Sequence, residues 1–100
     1  MKPLERLKQY NTKENLWLYI LYFLQKENLH AWRIRSLIEE QFDFKSGKIT
    51  VYRVLYRLED QELVKSKKEE RRRVYQITKK GINELSLAKN FYKEILKKIS

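Results

Sequence analysis

The sequence predicts a mainly α fold with one small β-hairpin, and three observations predict it. First, apolar residues recur at helical spacing, so that Val51, Leu55 and Leu58 fall at i, i+4 and i+7 on one face with Val54 beside them. Second, two short stretches break that period. Residues 64–70 read as an interrupted strand; residues 74–78 alternate, with Val74, Gln76 and Thr78 on one side and Tyr75 and Ile77 on the other. Third, Arg71, Arg72 and Arg73 stand between those strands. A helix with a basic outer face, followed at once by a basic-tipped hairpin, is the recognition half of a winged helix-turn-helix.

The remaining elements follow from the same periodicities. Residues 1–10 fit a short helix with Leu4 and Leu7 on one side and Pro3 near its start. Asn11 or Thr12 then reads as a fresh N-cap, and Glu14, three residues after Asn11, has the capping-box spacing. The helix expected from about Thr12 to Glu27 is apolar nearly all round. Leu16, Ile20, Phe23 and Leu24 form one stripe, and Trp17, Leu18, Leu21 and Tyr22 cover most of the rest. Such a helix is buried on two sides. The chain's own core supplies one side, and a second subunit is the simplest supplier of the other. Residues 28–30 make a short break, and the lone His30 reads as a cap or packing residue rather than a ligand. A helix over 31–42 turns Ile34, Leu37 and Ile38 inward. Residues 42–47 supply the turn, with Ser46 the candidate N-cap of a helix over 48–63.

On a wheel of ~100° per residue, Ile49, Arg53 and Tyr56 lie opposite the apolar face of that helix, and Thr50, Tyr52 and Arg57 lie at its margins. Residues 45–58 hold four basic side chains and no acidic one. For the helix alone, a merely solvated face explains the charge as well as a ligand does. The hairpin changes the balance: three guanidinium groups in a tight turn repel one another and add little to folding, so a polyanion explains them better.

The last helix enters at Lys79, Lys80 and Gly81 and reaches the C-terminus. Leu85, Ala88, Tyr92, Ile95 and Ile99 repeat at spacings of three and four, and Leu87, Phe91 and Leu96 widen the seam. Pairing with another molecule is expected; packing back onto its own domain is the alternative. Residues 1–80 thus read as a winged-helix domain with an N-terminal helical extension, and 81–100 as a dimerisation helix, in one compact unit. Trp17, Leu21, Leu85, Ala88, Tyr92, Ile95, Leu96 and Ile99 are the expected dimer contacts.

Composition bounds the function. One hundred residues make one core. A formal net charge of +10 calls for an anionic partner, which composition alone leaves as DNA, RNA or a membrane surface. With no cysteine and one histidine, no disulfide, thiolate metal site or nucleophile–histidine pair can be assembled. Gly47 and Gly81 lack the spacing of a phosphate loop, and the pairs Glu39–Glu40 and Glu69–Glu70 read as surface charge. Neither an enzyme nor a metal or cofactor is expected. The first residues lack the apolar core of a signal peptide. The longest apolar run, Leu16 to Leu24, is nine residues, too short to span a bilayer. A soluble, cytoplasmic protein is expected.

Three motifs then resemble the PadR family of transcriptional regulators. Thr50-Val-Tyr-Arg-Val-Leu-Tyr-Arg-Leu-Glu59 is similar to that family's G-T-L-Y-P-x-L-x-R-L-E recognition-helix signature. Leu29-His-Ala-Trp-Arg-Ile34 resembles L-H-G-Y-x-I, and Arg72-Arg-Val-Tyr-Gln-Ile-Thr-Lys-Lys-Gly81 resembles R-x-Y-x-L-T-x-x-G. Ile49 and Arg53 depart from the family's Gly and Pro, and both lie on the outer face of the helix, so no operator sequence carries over. Ala31 and Trp32 likewise replace Gly and Tyr. The resemblance implies a homodimer built by the first and last helices. It also implies an aromatic or cationic effector between dimer helices, for which Trp17, Tyr22, Phe91 and Tyr92 are candidates beside their plainer reading as core.

The expectation is therefore a dimeric, sequence-specific repressor of double-stranded DNA. Its DNA-facing residues would be Lys48, Ile49, Thr50, Tyr52, Arg53, Tyr56 and Arg57 on the helix, and Lys67, Lys68, Arg71, Arg72 and Arg73 on the hairpin. Arg53 is the candidate for base-edge contact, since its fork matches two acceptors on guanine. Tyr52, Tyr56 and Arg57 are expected on phosphate, and the wing arginines at the neighbouring minor groove or backbone. Two rivals stand beside it: a protein-interaction module of a transcription or replication assembly, and a non-specific architectural binder. A membrane-surface role ranks last.

Overall fold

The structure is a computed structural model describing all 100 residues, Met1–Ser100. Helix α1 (Pro3–Tyr10) carries proline in its first turn, where the missing N–H costs no hydrogen bond, and has no buried residue. Asn11 closes this helix instead of opening the next. Its side-chain amide donates to the Leu7 carbonyl at 2.8 Å, and the Thr12 hydroxyl donates to the Lys8 carbonyl at 2.7 Å. With both side chains facing back along α1, the capping box expected at Asn11 and Glu14 does not form. A 3-10 turn over Lys13–Asn15 follows, and α2 (Leu16–Lys26) begins only after it.

Leu29 and His30 form a short strand, β1, where a plain break was expected. Then come α3 (Ala31–Phe42), α4 (Lys48–Asp60), β2 (Val64–Glu69), β3 (Arg72–Ile77) and α5 (Lys79–Ile99). The sheet is antiparallel in the order β1-β3-β2, with Leu29 opposite Tyr75 and Val64 opposite Ile77. The fold is thus mainly helical with a small sheet, as expected, but the sheet has three strands.

Sixteen buried residues make one core around α2, which contributes Leu16, Ile20, Leu21, Phe23 and Leu24. Ala31, Ile34 and Ile38 of α3 and Val51, Leu55 and Leu58 of α4 pack on it, with Leu63, Val64, Tyr75 and Leu85 closing the other side. Leu21 and Leu85, expected at a dimer surface, are 0% and 2% exposed, so they have nothing to offer a partner. The sheet, α4 and the first half of α5 together cover more of α2 than a chain of this size was expected to.

The turn between α3 and α4 is held from below by aromatic rings. Tyr19 meets Phe42 and Phe44 edge-on at 4.8 and 5.1 Å, and Phe42 also meets Tyr22 and Phe23 at 5.7 and 5.8 Å. Such edge-on pairs add roughly 0.5–1.5 kcal/mol each beyond the area they bury. Asp43 ends α3 in the left-handed region with φ 59°, its N–H bonded to the Glu39 carbonyl at 3.2 Å. Gly47, rather than Ser46, occupies the N-cap position of α4, and no side chain caps that helix.

Helix α4 stops at Asp60, three residues short of the expected end. Glu62 turns left-handed at φ 63°, its N–H reaches the Glu59 carbonyl at 3.0 Å, and the Leu63 N–H reaches the Leu58 carbonyl at 2.8 Å. This is a Schellman ending made without glycine. The Leu63 carbonyl then accepts the Thr78 N–H at 3.1 Å. Thr78 caps α5 by accepting the Gly81 N–H at 3.0 Å and donates its hydroxyl to the Glu62 carbonyl at 2.7 Å. A Cβ on Gly81 would lie 2.1 Å from the Leu63 carbonyl oxygen and 2.8 Å from Ile77 Cγ1. The end of α4, the return strand and the start of α5 therefore meet at one point where only a glycine fits.

Tyr75, 3% exposed, is the core's one phenol. Burial raises its pKa above the usual tyrosine value, the Glu59 carboxylate adds to the rise, Arg73 opposes it, and Tyr52 and Tyr56 add smaller contributions.

Gly81→Ala should destabilise the fold by about 1–3 kcal/mol in urea denaturation, the cost of forced overpacking, against the stabilisation of up to ~1 kcal/mol that alanine ordinarily brings to a helix. Gly47→Ala is the control: its φ is −65° and the added Cβ would meet only Thr50 Oγ1 at 3.6 Å, so alanine's poorer N-cap and its stiffer unfolded chain roughly offset and stability should change by less than about 1 kcal/mol. Tyr75 stays neutral in the fold at a pH where it ionises in the unfolded chain. Its contribution is complete below the ordinary tyrosine value, about 10, and is lost as pH rises through the raised value. Unfolding free energies measured from neutral to alkaline pH should therefore fall less steeply above about pH 10 for Tyr75→Phe than for the wild type.

Candidate nucleic-acid interface

Burial of Val51, Leu55 and Leu58 fixes the rotation of α4, and the opposite side is presented to solvent. Ile49 and Tyr56 form its crest, 73% and 70% exposed. Thr50, Arg53 and Arg57 line the flank facing Lys13, Trp17 and Glu84. Lys48 and Tyr52 line the other flank, facing the start of α3 and the hairpin. All seven residues expected on the DNA side of this helix are exposed. The first turn of α4 holds no acidic residue, so the positive end of the helix dipole and Lys48 reinforce one another.

The hairpin loop is only Glu70 and Arg71. Positive φ at Glu70 alone, 54°, fits a II′ loop. Arg72 and Arg73 belong to β3, and strand alternation sends their side chains to opposite faces. The Arg72 guanidinium lies over the Trp32 ring, 5.8 Å from its centroid. Arg73 Nη1 donates to the Ser66 hydroxyl at 3.1 Å, and that hydroxyl donates to Glu59 Oε2 at 2.6 Å. The expected crowding of three arginines in one turn is therefore corrected: they are held apart, and Ser66, with Arg73 bonded to it, ties the hairpin to the end of α4. Lys67 and Lys68 are exposed on β2, with Glu69 and Glu70 beyond them at the tip. The molecule's two ion pairs, Arg33–Glu40 and Lys45–Glu39, involve none of the basic residues expected to face DNA.

Two residues of this surface were not among the expected contacts. Trp32 is 55% exposed beside Arg72, and His30 Nδ1 sits 3.3 Å from the Arg73 carbonyl oxygen. The signal for Trp32 was present: on the wheel it falls opposite Ile34, Leu37 and Ile38, where a tryptophan has no core to enter.

The other side of the molecule is apolar. A groove of about 900 Å³ runs between α1, α2 and the second half of α5, lined among others by Leu7, Leu18, Tyr22, Phe91, Tyr92 and Leu96. Exposure climbs along the seam of α5 as it leaves the body: Ala88 and Tyr92 are half-buried, Ile95 is 40%, Leu96 62% and Ile99 76% exposed. The Tyr92 hydroxyl donates to Asn11 Oδ1 at 2.7 Å, and the Tyr19 hydroxyl donates to the Asn11 carbonyl, so one residue links α1, α2 and α5. Burial, then the nearby Tyr92, raises the pKa of Tyr19. Trp17, expected at the dimer surface and beside an effector, lines the α4 flank instead and bonds Asn15 Oδ1 at 3.2 Å. Tyr22, Phe91 and Tyr92 do share the groove.

A helix-turn-helix of α3 and α4, followed by a hairpin paired to a third strand and a long closing helix, defines a winged-helix protein. The family profile described as "Transcriptional regulator PadR-like family" matches residues 20–87, and the chain belongs to that family. Its members are transcription regulators, not enzymes. A PadR-like transcription factor from Bacteroides fragilis is similar, with TM-score 0.80, 25% identity and coverage of 94% of this chain and 95% of that one. A PadR family transcription regulator from Clostridium difficile has TM-score 0.74 and 26% identity over 81% of this chain and 90% of that one. Bacillus subtilis PadR, solved in complex with operator DNA, has TM-score 0.64 and 23% identity over 71% of this chain and 43% of that longer one. No protein of curated function matches the sequence. No helix is long and apolar enough to cross a membrane.

Proposed function

We propose that this chain is a sequence-specific repressor that binds an inverted-repeat operator as a homodimer in the cytoplasm. The observation that carries this reading is the separation of two surfaces. On one side, α4 and the hairpin present basic side chains without ion-pair partners; on the other, α1 and α5 leave apolar side chains uncovered. The operator complex of the Bacillus subtilis relative supports the first surface as a DNA face. In this reading residues 1–80 carry the DNA-binding unit and 81–100 the dimer contact.

Helix α4 enters the major groove. Arg53 reads a base edge, Tyr52, Tyr56 and Arg57 set register on phosphates, and the hairpin reaches the adjoining backbone or minor groove. Two-fold symmetry places half-sites about 10 base pairs apart, or a multiple of that. Tyr22, Phe91 and Tyr92 in the apolar groove would receive an aromatic or cationic effector, which calorimetric titration of the dimer with such compounds tests.

Selection from a random duplex library at moderate salt, with competitor DNA, should return an inverted repeat. Tight binding without a consensus would instead make the protein an architectural binder, and absence of binding would make it a protein-interaction module. Arg53→Ala should cost about 1–3 kcal/mol on the selected site and relax one base position; an unchanged preference would remove Arg53 from base readout. Leu96→Glu, at a position exposed in the single chain, should leave the single chain folded, with its helical circular dichroism intact. In sedimentation it should convert dimer to monomer, and persistence of the dimer would exclude the α5 seam as the interface.

A further inference from the structure

We propose that the cleft between the start of α3 and the hairpin is a phosphodiester site for the DNA backbone, in which Trp32 is the positioning residue for Arg72. The proposal rests on the DNA-binding reading and adds to it a residue and a contact.

The cleft, about 600 Å³, is lined by His30, Trp32, Lys48, Tyr52 and the three hairpin arginines, and no carboxylate lines it. None of its four cations takes part in an ion pair. Glu69 and Glu70 adjoin Arg71 and Arg72 at the hairpin tip but form no ion pair with them, so the cleft keeps a positive excess and gains from an anion.

Trp32 is the second observation. A large ring 55% exposed, on a helix whose apolar face is otherwise buried, is not explained by packing. What it touches is the Arg72 guanidinium, 5.8 Å from the ring centroid. The attraction is between the cation and the ring face and uses none of the guanidinium's N–H donors. No hydrogen bond within the chain uses the Arg72 side chain; of the hairpin arginines, Arg73 makes one, to Ser66. A guanidinium drawn toward a ring, with its N–H donors unused, is prepared for two oxygens of one phosphate.

Location selects the source of that phosphate. Lys48 and Tyr52, which line the cleft, also form one flank of α4, so a duplex whose groove holds α4 runs its backbone past Arg72. Such a contact carries no base information. It adds affinity for every sequence alike and adds to the salt dependence.

The test uses the full chain in two arms. With Trp17→Phe in place, Trp32 is the only tryptophan. Its emission should change saturably with both the selected duplex and a scrambled one, and not with inorganic phosphate at matched ionic strength. An equal response to phosphate alone would overturn the duplex assignment.

In the second arm, Trp32→Ala should weaken selected and scrambled duplexes by the same factor, roughly three- to tenfold, and lower the slope of log K against log salt by about one. Trp32→Phe, which keeps a ring under Arg72, should recover most of the loss. Trp32→Ala made in an Arg72→Ala background should add nothing. Losses that add, or a Trp32→Ala protein with wild-type affinity and slope, would overturn the proposal. Wild-type protein that binds no duplex would overturn the DNA-binding reading itself. Trp32 lies outside the core, so thermal melting should be unchanged, and the phenylalanine variant and the emission arm stand if it is not.

Discussion

The Leu63 carbonyl is the point on which the architecture turns. It accepts the backbone N–H of Thr78, and the first turn of α5 lies directly against it at Gly81. Thr78 adds two side-chain bonds, to Glu62 and from Gly81. Through this contact the end of α4 fixes where the hairpin begins and where it returns. The same contact sets the direction in which α5 departs. Backbone groups are obligatory hydrogen-bonding groups, so a buried carbonyl with a defined partner positions more strictly than apolar packing, which tolerates sliding. The proposed DNA face and the apolar seam lie on either side of this junction, and neither can rotate without opening it.

A second anchor lies at the other end of α4. Tyr19, Tyr22 and Phe23 of α2 hold Phe42 and Phe44, and with them the turn that delivers Gly47 and Lys48. Helix α4 is thus clamped at both ends, by rings at its start and by backbone bonds at its finish. Its buried side holds Val51 and Leu55 in the core, and its outer side presents Ile49, Tyr52, Arg53 and Tyr56. Asn11 extends the aromatic anchor to α1 and α5 through Tyr19 and Tyr92. The groove and the helix-turn-helix therefore share a wall.

Much of this was legible in the sequence because periodicity reports which side of an element is apolar. The inward set of α4, and Tyr75 and Ile77 on β3, follow from spacing alone. Periodicity does not report what covers an apolar side. For α2, apolar nearly all round, the wheel gave no means of telling a core leucine from a partner contact. Leu21 and Leu85 are covered by the chain itself, and Trp17 faces α4. Strand β1 was hidden for a related reason: two residues cannot show alternation, and its pairing to β3 is wholly tertiary. The arginine triplet misled because the hairpin loop has two residues, not the longer turn the charges suggested. That leaves Arg72 and Arg73 in a strand, where neighbours point apart.

The chain turns its tight corners without glycine. Asp43, Glu62 and Glu70 each take positive φ, at the end of α3, the end of α4 and the tip of the hairpin, while neither glycine does so. Left-handed backbone costs such residues roughly 1–2 kcal/mol each in the folded state. Glycine would avoid that cost but would leave the denatured chain more conformations to lose on folding. With Gly47 and Gly81 its only glycines, the denatured ensemble of this protein is comparatively stiff, and part of its stability originates there. A count of contacts in the folded molecule would miss that share.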